Sequence, residues 1–216
     1  MIFALDERGL RVEARRGLKA KCPICGAPVR AKCGEVRVWH WAHEQQIDCD
    51  PWGEHESEWH RGWKALAPLE RVEVTMGPHR ADIVATDGAV IELQYSSISP
   101  QEIREREAHY GRMVWLLNGG AFRGKFRVEL LASGAQFDWA HARVSWRAAR
   151  RGVFIHGYEI GRYLQIVDPK SGGLNRIWRA AAWSDDIFQV KSLERRRFAG
   201  CGRQIPKSAF IDRLIG

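Results

Sequence analysis

Cys22-Pro-Ile-Cys25-Gly26, followed by His40, His43 and Cys49, is the segment that most restricts how this chain can fold. Residues 21–50 are loop-rich and studded with Cys, His and Pro, too small a stretch to fold without a staple. A structural zinc takes four soft-to-borderline ligands in a tetrahedron, and a Cys-x2-Cys knuckle followed by Gly supplies two of them from one tight turn. Cys33, His40, His43 and Cys49 compete for the other two places. His43 and Cys49 are the expected pair, with Cys33 or His40 as the alternative to one of them. A redox dithiol is disfavoured, because no strand–motif–helix context of the thioredoxin type surrounds the two cysteines. Four protein ligands leave no open position, so this zinc is expected to be structural. Of the five cysteines four fall in residues 22–49, a pattern of metal chemistry in a reducing cytoplasm and not of a disulfide scaffold.

The segments beyond this module read as a mixed α/β core. Residues 1–20 form a strand-like lead-in with a turn at Arg8-Gly9. Asp50-Pro51 reads as a helix start, Asp as N-cap and Pro at the first helical position, and the helix is expected to run to about Ala67, where Pro68 stops it. Strands are expected at 71–76, 79–86 and 89–96, the last two joined by a turn at Thr86-Asp87-Gly88. Ser99-Pro100-Gln101-Glu102 combines an N-cap, a proline at the first helical position and a capping-box glutamate, which predicts a helix from 100 to about 111. Met113-Val-Trp-Leu-Leu117 reads as a buried strand. The expected order is helix–strand–strand–strand–helix–strand. Three domains follow: a module at 1–50, a core at 51–120 and a C-terminal extension at 121–216. In the extension, Val153–His156, Tyr163–Val167 and Arg176–Trp178 read as short strands, and Lys207–Leu214 as a terminal helix.

Charge divides the chain. Residues 1–120 hold 16 Lys+Arg against 18 Asp+Glu, and residues 121–216 hold 18 against 8, so the net +8 belongs to the C-terminal part. Arg143, Arg147, Arg150 and Arg151 form one run there, and Arg195, Arg196 and Arg197 another. A polyanion such as a nucleic acid is the partner this balance calls for. No apolar run reaches the ~18–20 residues that span a bilayer, and the first residues lack a basic region followed by an apolar one, so neither a membrane span nor a signal peptide is expected. Most of the ten tryptophans are expected to pack in the core.

Acidic residues are concentrated between these two features. At 100° per residue, Trp59, Trp63 and Leu66 form the expected buried stripe of the first helix, with Glu56, His60 and Lys64 along its edge and Glu58 facing solvent. On the strands, Asp82 shares a face with Arg80 and Val84, and Glu92 shares one with Gln94 and Ser96. Acidic side chains on a packed sheet face are costly unless paired or metal-bound. Converging carboxylates bind Mg²⁺ through oxygen, and a site of that kind activates water for in-line attack on a phosphodiester.

Taken in order, Cys-Pro-x-Cys-Gly, His-(aromatic)-Ala-His, Glu56-Ser-Glu-Trp-His60-x-x-x-Lys64, Arg80-Ala-Asp82-Ile and Ile91-Glu92-Leu-Gln94-x-Ser-x-Ile-Ser resemble the competence protein CoiA-like family, over about residues 20–118. Phe137-Asp-Trp-Ala-His141 and Lys207-Ser-Ala-Phe-Ile211 are loosely similar to it as well. The resemblance implies a zinc-ribbon-like N-terminal segment and a restriction-endonuclease-like core of the PD-(D/E)xK superfamily. It implies Asp82 as the motif aspartate, Glu92 as the second carboxylate, and Glu56 and His60 completing a Mg²⁺ or Mn²⁺ site. The implied activity is metal-dependent hydrolysis of DNA, single- or double-stranded. One departure stands out. Gln94 occupies the place of the usual lysine, whose positive charge glutamine cannot supply, and Lys64 on the helix is the expected replacement. The alternative is a nucleic-acid-binding protein with little or no catalytic power.

Overall fold

A computed structural model of the chain describes all residues except 36–37, 46–48, 54–55, 142–143, 168–173, 194–198 and 216, together with the side chains of 163, 164, 166, 167 and 174–177. It separates into two compact units, Met1–Ile91 and Glu92–Gly216.

The first unit opens with five short strands, β1 (Phe3–Leu5), β2 (Arg11–Glu13), β3 (Lys19–Lys21), β4 (Pro28–Lys32) and β5 (His40–His43). They pair antiparallel in the order β2-β1-β3-β4-β5. The expected turn at Arg8-Gly9 is present: Gly9 has φ +75°, and the Asp6 carboxylate accepts the N–H groups of Arg8 and Leu10. Among the described residues, Ala4, Ala14, Ala20, Cys22, Val29 and Trp41 form one buried cluster of this sheet, and Phe3 of β1 is buried as well. Four of the six in the cluster are small, so apolar burial alone supplies little stability. Trp41 carries most of it, with its Nε1 donating to Val12 O at 2.9 Å.

The helix α1 (Glu58–Lys64) is shorter than the sequence suggests and starts seven residues late. Ser57 is its N-cap: its Oγ accepts His60 N, while His60 Nδ1 accepts Ser57 N, a capping box built with histidine in place of glutamate. Asp50 does not cap the helix. Its carboxylate takes His79 Nδ1 at 3.0 Å and the Arg80 N–H at 3.2 Å. The buried face is also different. His60, Trp63 and Lys64 are buried, whereas Leu66 is exposed and Trp59 only half-buried. Glu58 faces solvent as expected.

The strands β6 (Val72–Met76), β7 (His79–Val84) and β8 (Val90–Gln94) follow as expected, antiparallel to one another. Ala81, Ile83, Val90 and Ile91 are packed inside the first unit, and β8 continues into the second.

In the second unit, α2 (Pro100–Tyr110) starts at the Ser99 cap, whose Oγ accepts Glu102 N at 3.0 Å. After it come β9 (Met113–Asn118), β10 (Phe126–Leu131), β11 (Gly134–Trp139), β12 (Gly152–Val167), β13 (Leu174–Val190), β14 (Ala199–Ile205) and α3 (Lys207–Leu214). The sheet is mixed. β9 runs parallel to β12, and β12-β13-β14-β11-β10 are successive antiparallel neighbours. β10 also pairs in parallel with β12 through Arg127↔Glu159 and Val128↔Ile160, so these five strands close on themselves. Phe126, Phe137, Tyr158 and Phe188 fill the ring with mostly edge-to-face contacts, between 5.2 and 6.4 Å apart. The short strands expected after residue 150 are in fact two strands of 16 and 17 residues, whose pairing shifts register at His156/Tyr158 and Ile160/Gly161. α3 lies where the sequence places it, with Phe210 against Phe154. No helix among the described residues is long and apolar enough to cross a membrane.

Candidate functional site

Two constellations in the first unit carry chemistry. In the first, the ligand atoms of Cys22, Cys25, His43 and Cys49 all lie within 4.8 Å of one another. The knuckle is closed by Cys22 N–H donating to Ala27 O at 2.8 Å and by Gly26, at φ +70°, donating to Cys22 O at 2.9 Å. His43 comes from the end of β5, and Cys49 from the loop after it. Cys22 Sγ is 3.7 Å from Cys49 Sγ, and His43 Nε2 is 3.3 Å from Cys25 Sγ and 3.6 Å from Cys49 Sγ. Zn–S bonds of ~2.3 Å in a tetrahedron imply edges of roughly 3.8 Å, so these residues fit a zinc ion. Burial, with Cys22 as neighbour, pushes the Cys49 thiol up to about 12. Burial also opposes the Cys25 thiolate, but the Ala27 backbone and the two neighbouring thiols outweigh it and lower that pKa. A bound dication removes this conflict by letting all three sulfurs ionise. Cys33 and His40 are not in the group, and His40 Nδ1 is bonded to Val38 O at 2.8 Å.

The second constellation centres on Lys64. Its Nζ lies 2.9 Å from Glu56 Oε2, 2.9 Å from Asp82 Oδ1 and 3.3 Å from Glu73 Oε1, three carboxylates for the three N–H bonds of an ammonium. Glu56 precedes α1 instead of riding on it, yet still reaches Lys64. Burial disfavours the charge on Lys64, but Asp82, Glu73 and Glu56 together raise its pKa. Glu73 is likewise buried, and Lys64 and Arg80 overcome that burial to bring it down to about 2. Glu73 was not singled out by the strand pattern. Alternation with Val72 and Val74 places it on a solvated face, but its backbone sits at φ +50°, which breaks the two-residue period, and its Oε2 accepts the N–H groups of Ile2 and Phe3. Glu56 Oε1 is buried with no hydrogen-bond partner among the described residues. Arg80 joins Lys64 at these carboxylates, 3.9 Å from Glu73. Carboxylate oxygens are hard donors of the kind that suit Mg²⁺ or Mn²⁺. His60 is buried with Nδ1 bound to Ser57 Oγ at 2.7 Å, which makes it the cap of α1 first.

In the second unit Glu92 is 3% exposed and accepts Arg106 Nη1 at 2.8 Å, while the same guanidinium binds Glu102. Burial opposes the Arg106 charge, and Glu92 and Glu102 raise its pKa above the ordinary value. Gln94 is buried, its Nε2 donating to Ser96 O at 3.4 Å. Removing one partner of such a buried pair strands the other charge. Glu92→Ala is therefore expected to cost about 3–5 kcal/mol in urea denaturation, and Glu92→Leu with Arg106→Met to recover much of it. A double variant as unstable as the sum of its singles would show that the pairing itself contributes nothing.

Arg147, Arg150 and Arg151 are exposed, and the Glu107 carboxylate fixes the turn that presents them by accepting Arg150 N, Arg151 N and Trp115 Nε1. Arg143, Arg195, Arg196 and Arg197 lie outside the described residues.

Residues 11–51 match the family model of the competence protein CoiA N-terminal domain. The matched stretch spans β2 to β5 and contains all four residues of the Cys/His group. The resemblance to the CoiA-like family thus stands on an independent match in the N-terminal part of the chain. No curated protein and no solved structure gives a significant match.

Proposed function

Taking the likeness of residues 11–51 to the CoiA N-terminal domain as premise, we propose that the chain is a metal-dependent nuclease of the PD-(D/E)xK type, acting in the competence-related handling of DNA. One observation carries the reading: a buried lysine bridges Glu56 and Asp82 at 2.9 Å each, beside a Glu56 oxygen left without a hydrogen bond among the described residues. Asp82 and Glu56 would hold Mg²⁺ or Mn²⁺, which when bound supplies Lewis acidity and an activated water. Lys64 holds positive charge beside the two carboxylates, the charge Gln94 lacks, for the oxygens of a transition-state phosphate. Glu73 fixes Lys64 from the buried side, and Ser57 with His60 fixes the start of its helix. Glu92 and Gln94 are carried over from the resemblance alone. Zinc in the Cys/His group would be structural.

Asp82→Ala is expected to lower Mg²⁺- or Mn²⁺-dependent cleavage of labelled single- and double-stranded DNA by on the order of a hundredfold or more, and to leave DNA binding in place. Metal-dependent cutting that survives this substitution would remove the assignment. The second reading, a DNA-binding protein without efficient chemistry, is favoured by the way all three donors of Lys64 are already engaged by carboxylates. On that reading the wild type shows salt-sensitive binding and no cleavage, and Asp82→Ala changes neither.

A further inference from the structure

Counted along the chain, residues 1–120 are close to neutral, with 16 Lys+Arg against 18 Asp+Glu. Two neighbouring strands of the N-terminal sheet gather four of those cations on one face. On β3 and β4, Ala20 and Val29 turn inward with Trp41, and Lys19, Lys21, Arg30 and Lys32 stand exposed on the other side. No acid occurs between Glu13 and Glu35, and Lys32 is followed across the sheet by His40, again not an acid. Lys19 lies directly opposite Arg30 in the antiparallel register. Like charges in that position repel. None of the four has an ion-pair partner among the described residues. Like charges set opposite one another with no acid between them gain nothing for the fold, so the arrangement fits a face that is neutralised by a ligand.

The spacing indicates which ligand. Side chains on one face of a strand advance by ~6.8 Å every two residues. Successive phosphates along one DNA strand rise ~3.4 Å along the axis and also turn about it, which puts neighbours about 7 Å apart through space, close to that advance. Lys19/Lys21 and Arg30/Lys32 thus form two rows spaced like neighbouring phosphates. We propose that the outer face of β3 and β4 is a docking surface for the DNA phosphate backbone, formed by Lys19, Lys21, Arg30 and Lys32. It rests on DNA being the partner of the chain, and not on cleavage.

The test uses the full chain without added Mg²⁺ or Mn²⁺, and fluorescence anisotropy of labelled 20-base single strands and 20-pair duplexes across a salt series. A variant with Lys19, Lys21, Arg30 and Lys32 all changed to Gln is compared with one in which the scattered exposed cations Arg8, Arg104, Lys191 and Arg213 are changed to Gln. Both lose the same charge. Zinc content and melting temperature report whether each is folded. The face variant is expected to bind duplex at least about tenfold more weakly at 0.1 M salt, with a salt slope shallower by about 3–4, since each lost phosphate contact removes ~0.9. The scattered variant is expected to stay near wild type. Equal losses in both variants, an unchanged face variant, or wild-type binding to phosphatidylserine vesicles in place of DNA each overturn the proposal. Weakened binding by the face variant in a chain that never cleaves DNA leaves this surface standing and removes the nuclease. Cleavage with an unchanged salt slope does the reverse.

Discussion

Lys64→Met is expected to abolish DNA cleavage and to destabilise the protein by about 3–5 kcal/mol, because it leaves buried carboxylates without their shared counter-charge. The loss has a pH signature. In the wild type Glu73 is held at about 2, below its ordinary 4.5, so its contribution is fully present above about pH 4.5 and is lost as pH falls toward 2. Lys64 is raised above its ordinary 10.5, so its contribution is fully present below pH 10.5 and is lost only as pH climbs through the higher folded-state value. In the variant the main charge opposing burial is gone. Glu73 then keeps Arg80 and the N–H groups of Ile2 and Phe3 but loses its strongest counter-charge, so its ionisation contributes less and acid undoes less. The gap in melting temperature between wild type and Lys64→Met is thus widest near pH 7 and narrows below about pH 4.5. A gap that stays constant from pH 7 down to about 2.5 would mean that shape, and not charge, accounts for the lysine. Full cleavage by Lys64→Met would remove Lys64 from the catalytic site.

Cys49→Ser, or stripping of bound zinc by a chelator, is expected to unfold the five-stranded N-terminal sheet. Structural zinc contributes about 10–16 kcal/mol of apparent folding free energy in small modules, as much as a whole domain's net stability. The small buried core of this sheet cannot replace that, the more so because Cys22 is itself part of it at 1% exposure. The check is hydrogen exchange: amides of residues 1–43 should lose protection on metal removal while those of β9 to β14 keep theirs. One equivalent of zinc should be released. Unaltered protection in a metal-free sample would show that the cysteines and histidine are close together for another reason.

The parts of the fold legible in the sequence are those fixed by local chemistry. The knuckle at Cys22–Gly26 needs only its own turn, and α2 needs only Ser99, Pro100 and Glu102, so both fall where expected. β6 to β9 were readable from runs of β-branched and apolar residues between turn residues. The start of α1 was not, since Asp50 and Ser57 are both competent N-caps. The choice was made by partners distant in sequence, His79 and Arg80, which claim the Asp50 carboxylate. Glu73 was hidden for a similar reason: a left-handed backbone at a glutamate has no composition signal. The closed ring of β10 to β14 escaped because the glycines at 157 and 161 interrupt the pattern at the register shifts, so one long strand reads as fragments. The Lys64 cluster lay between these cases. Lys64, Glu56 and Asp82 were named from spacing and resemblance and Glu73 was not, and the geometry that unites the three carboxylates is tertiary.

Asp50 gives the metal group a reach beyond its own turn. It follows Cys49 immediately in the chain and bonds His79, 29 residues further on, and the backbone of Arg80, two residues before Asp82. Closing a loop costs entropy that grows with the logarithm of its length, so an anchored end lowers the cost of every closure that starts from it. With Cys49 fixed by a metal, Asp50 begins its search for β7 from a stationary point instead of from a free chain. A bound ion would thus contribute to assembling the acids around Lys64 without touching them, by removing conformations the chain would otherwise explore.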